Sequence, residues 1–329
     1  MTSNAERSMV VVYEHVTAGG LLDPSPALRA EGLAMADALL RDLRDDGRCA
    51  LRTVRGRQLP VPFPDVEVLE TASPCDAAAA LDLACAGAAL AWLIAPETDG
   101  ALEALTRRVA STGTRIAGAR ADAVAVAASK RQTAALLARA GLPVVPTYLP
   151  DASPDRRDVR GAWVVKPDDG AGCESTFVAC GWDAALRGIA ARQMRNAVLQ
   201  PYFAGAALSL SCLATPASAV ALCVNRQHVV RERDALRFRG VAVGIETRSA
   251  WDGGAIARAV AQALPGLRGY FGIDLLLRHD GPVILEVNPR LTTAYPGLRR
   301  ALGLNVASRI LDDFGLVAPA DATEATDAA

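Results

Sequence analysis

The residues best placed to do chemistry lie in one stretch, GIDLLLRHDGPVILEVNPR, residues 272–290. Asp280-Gly281 is a hairpin turn signal between two apolar runs. Glu286 and Asn288 are two positions apart, so on a strand they share a face. A three-residue loop, His279-Asp280-Gly281, sets Asp274 directly opposite Glu286 on that face, whereas a two-residue loop puts the acids on opposite faces. The odd-length loop is therefore predicted. Leu275 opposite Glu286 is the pairing that would contradict a shared face. Two carboxylates and an amide oxygen form a hard-oxygen set suited to Mg²⁺, which keeps water and phosphate as its other ligands. Arg290, two positions further on, brings a fork that suits a phosphoryl group or a developing oxyanion. The competing reading is a solvated edge hairpin. Ile273, Leu275, Ile284, Leu285 and Val287 argue against it, because acids set among apolar residues need a partner.

A second constellation holds the chain's lysines. Of 35 basic residues only two are lysine, Lys130 and Lys166. A coding bias toward arginine explains that ratio without function. Under such a bias, a retained ammonium marks a place where a planar guanidinium does not serve, and phosphate sites are such places. Lys166 ends an apolar strand pattern, AWVVKPDD, four residues before Gly170. Gly170 and Gly172 let the backbone approach phosphate oxygens and offer N–H donors, with Asp169 at the mouth of the loop. No GK[ST] opens a helix here, so the loop is not of the Walker type. STFVAC is rich in strand formers, so the loop is expected to join two antiparallel strands and cover phosphates. An ordinary glycine-rich turn is the competing reading.

The elements that must position these residues are readable in outline. Val10–Tyr13 reads as a first strand, closed by a glycine pair. Residues 25–46 carry apolar positions at helical spacing, among them Leu28, Met35, Leu39 and Leu43. Strands at Ala50–Val54, Val66–Glu70 and LAWLIAP alternate with helices at Cys75–Ala86 and Ala101–Ser111, which predicts a parallel sheet covered on both faces. No GxGxxG follows a strand, so a dinucleotide site is unsupported. From Ser129 a helix runs to a stop at Gly141 and Pro143, and a polar loop spans Pro150–Arg160. A helix over Trp182–Arg195 leads to the strand AVLQPYF. The last third is strand-rich and closes with a helix over Ala301–Phe314 and an Ala/Thr/Asp tail.

Bulk properties narrow the class. The 329 residues suffice for two or three lobes, and a net charge of −1 with interspersed signs gives no footprint for nucleic acid. No apolar stretch is long enough to span a bilayer and no leader pattern opens the chain, so a cytoplasmic protein is expected. The seven cysteines are scattered without a CxxC pair, which reads as reduced thiols rather than a zinc site.

In this order the pieces resemble the ATP-grasp superfamily, over about residues 125–312. The resemblance implies an α/β ATP-grasp fold. Its parts would be a Rossmann-like parallel-sheet domain at 1–124, a small α+β lid at 125–200, a C-terminal antiparallel-sheet α+β domain at 201–316 and a disordered tail at 317–329. It implies ATP and one or two Mg²⁺ ions, with Mn²⁺ as a substitute. Lys130 and Lys166 would hold phosphates under the Asp169–Gly172 loop, and Gln200-Pro201-Tyr202-Phe203 would form the hinge against adenine. Asp274, Glu286 and Asn288 would bind the metal, and Arg290 and Lys166 would act on the transferring group. Many members carry a glutamate near the hinge for the ribose; here the stretch is GAALS, which leaves only Ser209 as a nearby polar contact.

YEHVTAGGLLDPSPALRAEGLAMADALLRDL is similar to the opening of tyramine–glutamate ligase-like proteins of methanofuran and methylofuran biosynthesis, a branch of one-carbon metabolism. That places Glu14, His15, Thr17, Gly19 and Gly20 at the substrate end of the first strand, where open α/β sheets bind ligands. Arg226, Arg237 and Arg239 are candidates for a substrate carboxylate. The implied activity is ATP-dependent joining of a small-molecule carboxylate, glutamate in this group, to tyramine, tyrosine or a related amine through an acyl phosphate, with a homodimer left open. A dipeptide or D-alanine ligase-like enzyme and a non-catalytic ATP-binding module are the alternatives.

Overall fold

The computed structural model describes residues 7–60, 63–152, 161–170, 172–247 and 251–316. Most of the polar loop expected at 150–160, Ala171 of the glycine loop and the expected tail from 317 lie outside the described residues.

Two sheets organise the chain. The first is parallel, in the order β3 (Glu67–Thr71), β2 (Cys49–Gly56), β1 (Ser8–Glu14), β4 (Leu90–Ile94), β5 (Arg115–Ile116). Its central strands are buried on both faces, which is why they read as continuous apolar runs. Helix α1 (Pro26–Asp46) packs Met35, Leu39, Leu40 and Leu43 against Val10 and Val12. Helices α2 (Pro74–Cys85) and α3 (Ala101–Ser111) pack Leu81, Leu102 and Val109 against Val11 and Tyr13 on the other face. Local signals set the limits of α1. The Ser25 hydroxyl accepts the Leu28 N–H, Pro26 opens the first turn, and Gly47 at φ 77° ends the last.

After α4 (Ala121–Ala128) and α5 (Lys130–Arg139) comes an eight-stranded antiparallel sheet. Its order is β13 (Gly281–Asn288), β12 (Gly269–Arg278), β9 (Ala206–Ala214), β10 (Ala219–Glu232), β11 (Ala235–Ala242), β7 (Phe177–Cys180), β6 (Ala162–Pro167), β8 (Ala197–Pro201). The β11–β7 join is narrow: Ala235 pairs with Phe177, flanked by backbone bonds from Val178 to Asp234 and from Leu236 to Thr176. Helix α6 (Trp182–Ala191) covers β6–β8 with its own small core of Trp163, Val165, Phe177, Trp182 and Leu199. Helix α7 (Gly253–Ala263) covers β9 and β10. Helices α8 (Tyr295–Leu302) and α9 (Val306–Asp313) return to α1, where the Tyr295 hydroxyl donates to Asp42 at 2.9 Å.

Three expectations change. The single helix expected at Ala301–Phe314 is two, because Gly303 at φ 67° ends α8 and Asn305 caps α9. The helix expected to reach Arg195 stops at Ala191. Elements α4, α7 and β11 carried no legible signal. The first is eight residues of Ala and Val with one Asp, the second opens on a glycine pair, and the third is interrupted by Gly240.

Candidate active site

The β12–β13 hairpin sets Asp274 opposite Glu286, as the sequence predicts, but by another route. Arg278 pairs with Gly281, so the turn has only two residues, His279 and Asp280. The register then shifts between Asp274 and Leu275: Leu275 faces Ile284, and Leu285 is left over as a bulge. That extra residue restores the shared face an even loop would have lost. Backbone bonds from Val145 to Ile284 and from Ile284 to Pro143 hold the strand edge at the bulge.

The lysines arrive from far along the chain. Lys166 stands on β6, and its Nζ lies 3.6 Å from Glu286 Oε2. Lys130 is the first residue of α5, buried, and its Nζ lies 3.4 Å from the same oxygen. Asp168 orders this corner: its carboxylate accepts from the Ser129 hydroxyl at 2.6 Å and the Arg131 N–H at 2.8 Å, while its carbonyl accepts from Lys130 Nζ at 3.2 Å. Lys130 also donates to the Gly170 carbonyl, which ties the glycine loop to α5.

The acids and lysines balance each other. Burial opposes the charge on Glu286, but Lys130 and Lys166 outweigh it and hold that carboxyl below its usual range. Burial and then the neighbouring Glu286 push Asp274 well above its usual range, against a hydrogen bond from Gln227. Burial lowers the Lys166 ammonium, with Glu286 opposing. The Asp274 and Glu286 carboxylates, paired across the hairpin, would with Asn288 offer Mg²⁺ three oxygens while leaving positions for phosphate. Among the described residues no group of three or more His, Cys, Asp and Glu side chains is arranged to hold a metal. A partly filled shell of this kind fits a metal shared with phosphates.

A cleft of about 590 Å³ opens from this cluster. Asp274, Glu286, Asn288 and Arg290 line one end, Gly172, Cys173 and Glu174 of the glycine loop a second wall, and Glu14, His15 and Glu31 the other end. A larger groove of about 880 Å³, between α3–α4 and the end of α7, contains none of these residues. Arg290 is anchored by Glu97, which follows β4: Nη2 donates to Glu97 Oε2 at 2.7 Å and Nη1 to the Leu291 carbonyl at 3.0 Å. Arg290 Nε and Glu97 Oε1 are buried without a hydrogen-bond partner among the described residues. Glu97 and Gln227 sit in no motif and Glu31 falls within the N-terminal stretch without being singled out; only the fold brings Glu31 and Gln227 to the cleft and Glu97 to Arg290.

At the N-terminal end, Glu14 is 2 % exposed and its carboxylate accepts the backbone N–H groups of Val16 at 3.2 Å and Thr17 at 2.7 Å. Burial raises its pKa. His15 lies beside Tyr13, with Nδ1 3.3 Å from the Tyr13 hydroxyl. Thr17, Gly19 and Gly20 shape this turn and do not line the cleft. A Cβ at Gly20 would fall 2.1 Å from the His15 ring.

Other expected residues sit elsewhere. Asp169 does not line the cleft; its carboxylate accepts from the Asp99 N–H at 2.9 Å and Asn196 Nδ2 at 3.2 Å. Ser209 pairs with Asp274 across β9–β12 and is held by Asn225. Gln200 shares a sheet face with Lys166 and donates to Thr147 at 2.9 Å, while Pro201 ends β8. Tyr202 is exposed and Phe203 lies under the Arg278 guanidinium, 4.2 Å from the ring centre. Arg226, Arg237 and Arg239 do not reach the cleft. Strand alternation turns Gln227 and Phe238 inward and these arginines out to solvent, where Arg239 pairs with Glu232.

A family model described as the ATP-grasp domain matches residues 127–294. The chain belongs to the ATP-grasp family. A pre-ATP-grasp domain model matches residues 49–124. Tyramine–L-glutamate ligase of Methanocaldococcus jannaschii is 27 % identical over 209 residues, 64 % of this chain and 58 % of that protein. The chain thus matches less than two thirds of that relative's length. Among solved structures, an ATP-grasp superfamily protein from Archaeoglobus fulgidus superposes with a TM-score of 0.71 at 20 % identity, covering 93 % of this chain and 88 % of that one. The biotin carboxylase domain of Hydrogenobacter thermophilus 2-oxoglutarate carboxylase, in complex with MgADP, ADP and bicarbonate, gives 0.70 at 14 % identity, covering 94 % and 70 %. These two likenesses are of fold. Among the described residues of the ATP-grasp chain, no helix is long and apolar enough to cross a membrane.

Proposed function

We propose that this ATP-grasp protein is an ATP-dependent carboxylate–amine ligase that forms an amide through an acyl phosphate, joining glutamate to tyramine or a related aryl amine. The observation that carries the reading is the convergence of Lys130 and Lys166 on Glu286, at the head of a cleft that continues past Arg290 to α1. Two ammoniums and a glycine loop suit the phosphates of ATP. Mg²⁺ held by Asp274, Glu286 and Asn288 would neutralise charge on those phosphates. Arg290, fixed by Glu97, lines the cleft, where its guanidinium can steady the carboxylate oxygen as it takes up phosphate and again as the amine adds. Chemistry of this kind needs positioning and charge stabilisation more than covalent participation by the protein. The similarity to tyramine–L-glutamate ligase supports the choice of acid and amine.

The test is ADP release with ATP, Mg²⁺ and glutamate across a panel of amines, with mass detection of the product. Amine-dependent ADP and a new amide are expected. No turnover with any pair of acid and amine would leave a nucleotide-binding module instead.

A further inference from the structure

Glu31 projects from the second turn of α1 into the cleft. Its carboxylate is half-buried and makes no hydrogen bond or ion pair among the described residues, unlike Glu14, which its own turn occupies. It lies within the fields of Arg290, on the reacting side, and of Glu174, on the glycine loop. The phosphates belong on the far side of the cluster, with Lys130 and Lys166, so a carboxylate activated there presents its carbon toward α1. Among the described residues, the charged side chains lining the cleft are Glu14, Glu31, Asp99, Glu174, Asp274, Glu286 and one cation, Arg290, already paired with Glu97. Beside Glu31, such a lining attracts a cation and disfavours a carboxylate carried by the amine itself. Leu21, Leu28, Met35 and Phe238 add apolar wall beside Glu31 for the body of a ligand.

Resting on the ligase reading, we infer that Glu31 receives the amine: it holds the incoming alkylammonium and takes a proton from it. The substrate class is a primary amine without a neighbouring carboxylate. An alkylammonium cannot attack, because its nitrogen has no free electron pair. Transfer of one proton to Glu31 frees that pair, which forms the C–N bond to the acyl carbon. The C–O bond to phosphate then breaks, and the second proton leaves with the phosphate as hydrogen phosphate. Glu31 returns its proton to solvent. Burial raises the pKa of Glu31, which improves it as an acceptor.

The experiment compares two nucleophiles on the full chain with ATP, Mg²⁺ and glutamate. Tyramine arrives protonated and needs the acceptor, whereas hydroxylamine is neutral at about pH 7 and reports the acyl phosphate without one. Glu31→Gln is expected to lower amide formation by about 100-fold with a raised tyramine KM, while hydroxamate formation stays within about twofold of wild type. Glu31→Asp should recover part of the amide rate, and tyrosine should be a poorer amine than tyramine for the wild type. Equal loss with both nucleophiles, or unchanged amide formation, would overturn the role of Glu31. A wild-type protein that forms neither amide nor hydroxamate from any acid fails at the ligase reading itself.

Discussion

Lys166 Nζ and Glu286 Oε2 stand 3.6 Å apart although their strands, β6 and β13, are separated by five others in the sheet. Six steps of about 4.8 Å would put them roughly 29 Å apart in a flat sheet. The sheet therefore curls until its two ends face each other across the cleft. The narrow β11–β7 join is where little pairing resists that bend.

The lysines are the first test of this arrangement. Lys130→Arg and Lys166→Arg are each expected to cost about 100-fold in ATP-dependent turnover, with the far-ultraviolet spectrum unchanged. Both ammoniums are buried against a single carboxylate oxygen, and a guanidinium is too wide to replace either without moving the other. Near-normal turnover in both variants would reduce the lysine count to coding bias.

Asp274 separates metal binding from stability. Asp274→Asn removes a like charge buried beside Glu286, so in chelator it should raise stability by about 1 kcal/mol at neutral pH. The sign follows from the raised pKa. The native carboxyl favours its protonated form, its contribution is whole below the unfolded pKa, and it is lost as pH rises through the native one. The gap between variant and wild type should thus close on acidification. Turnover with Mg²⁺ should collapse at every pH. Thermal melts in chelator across pH, set beside ADP release, decide it; a destabilised metal-free variant would contradict the buried repulsion.

Arg290→Lys should lower kcat by about 100-fold and leave the KM for ATP within a few-fold. Lysine has no fork, so it cannot keep Glu97 and also serve the reacting group. Glu97→Gln should give a smaller loss in kcat, because the arginine stays but is held less firmly. Steady-state kinetics that showed the main change in the KM for ATP would assign Arg290 to nucleotide binding.

Gly32→Ala tests the floor of the cleft. Alanine favours a helix by about 0.5–1 kcal/mol over glycine, yet its Cβ would sit 2.6 Å from Glu14 Oε2. That carboxylate is pinned by two backbone N–H groups, which it would have to leave to yield. A net destabilisation of about 1–2 kcal/mol is expected in denaturant melts. A stabilised variant would mean that Glu14 moves easily.

Much of this protein was legible without its structure because the signals are local. Strand and helix periodicities in the first 111 residues report burial of neighbouring positions, and the helix bounded by Ser25 and Gly47 follows from its caps. Lys166 ahead of the glycines, and Glu286, Asn288 and Arg290 at strand spacing, are likewise contiguous patterns. The pairing of Asp274 with Glu286 was also legible, although the reasoning assumed the wrong loop and an unpaired Leu285 made up the difference. A bulge depends on what holds the strand edge, here Pro143–Val145, which no hairpin sequence encodes.

Tertiary structure alone decided which distant residues meet. Glu97 and Arg290, 193 positions apart, form one ion pair, and Glu31 of α1 lines the same cleft as Asp274 and Glu286 of the second sheet. It also turned Arg226, Arg237 and Arg239 out to solvent, since the direction of a side chain on a strand depends on the face the sheet turns inward. Short-range patterning determines the elements and the side chains each carries. The curl of an eight-stranded sheet is a sum of nonlocal pairings, and it determines which of those side chains share a site.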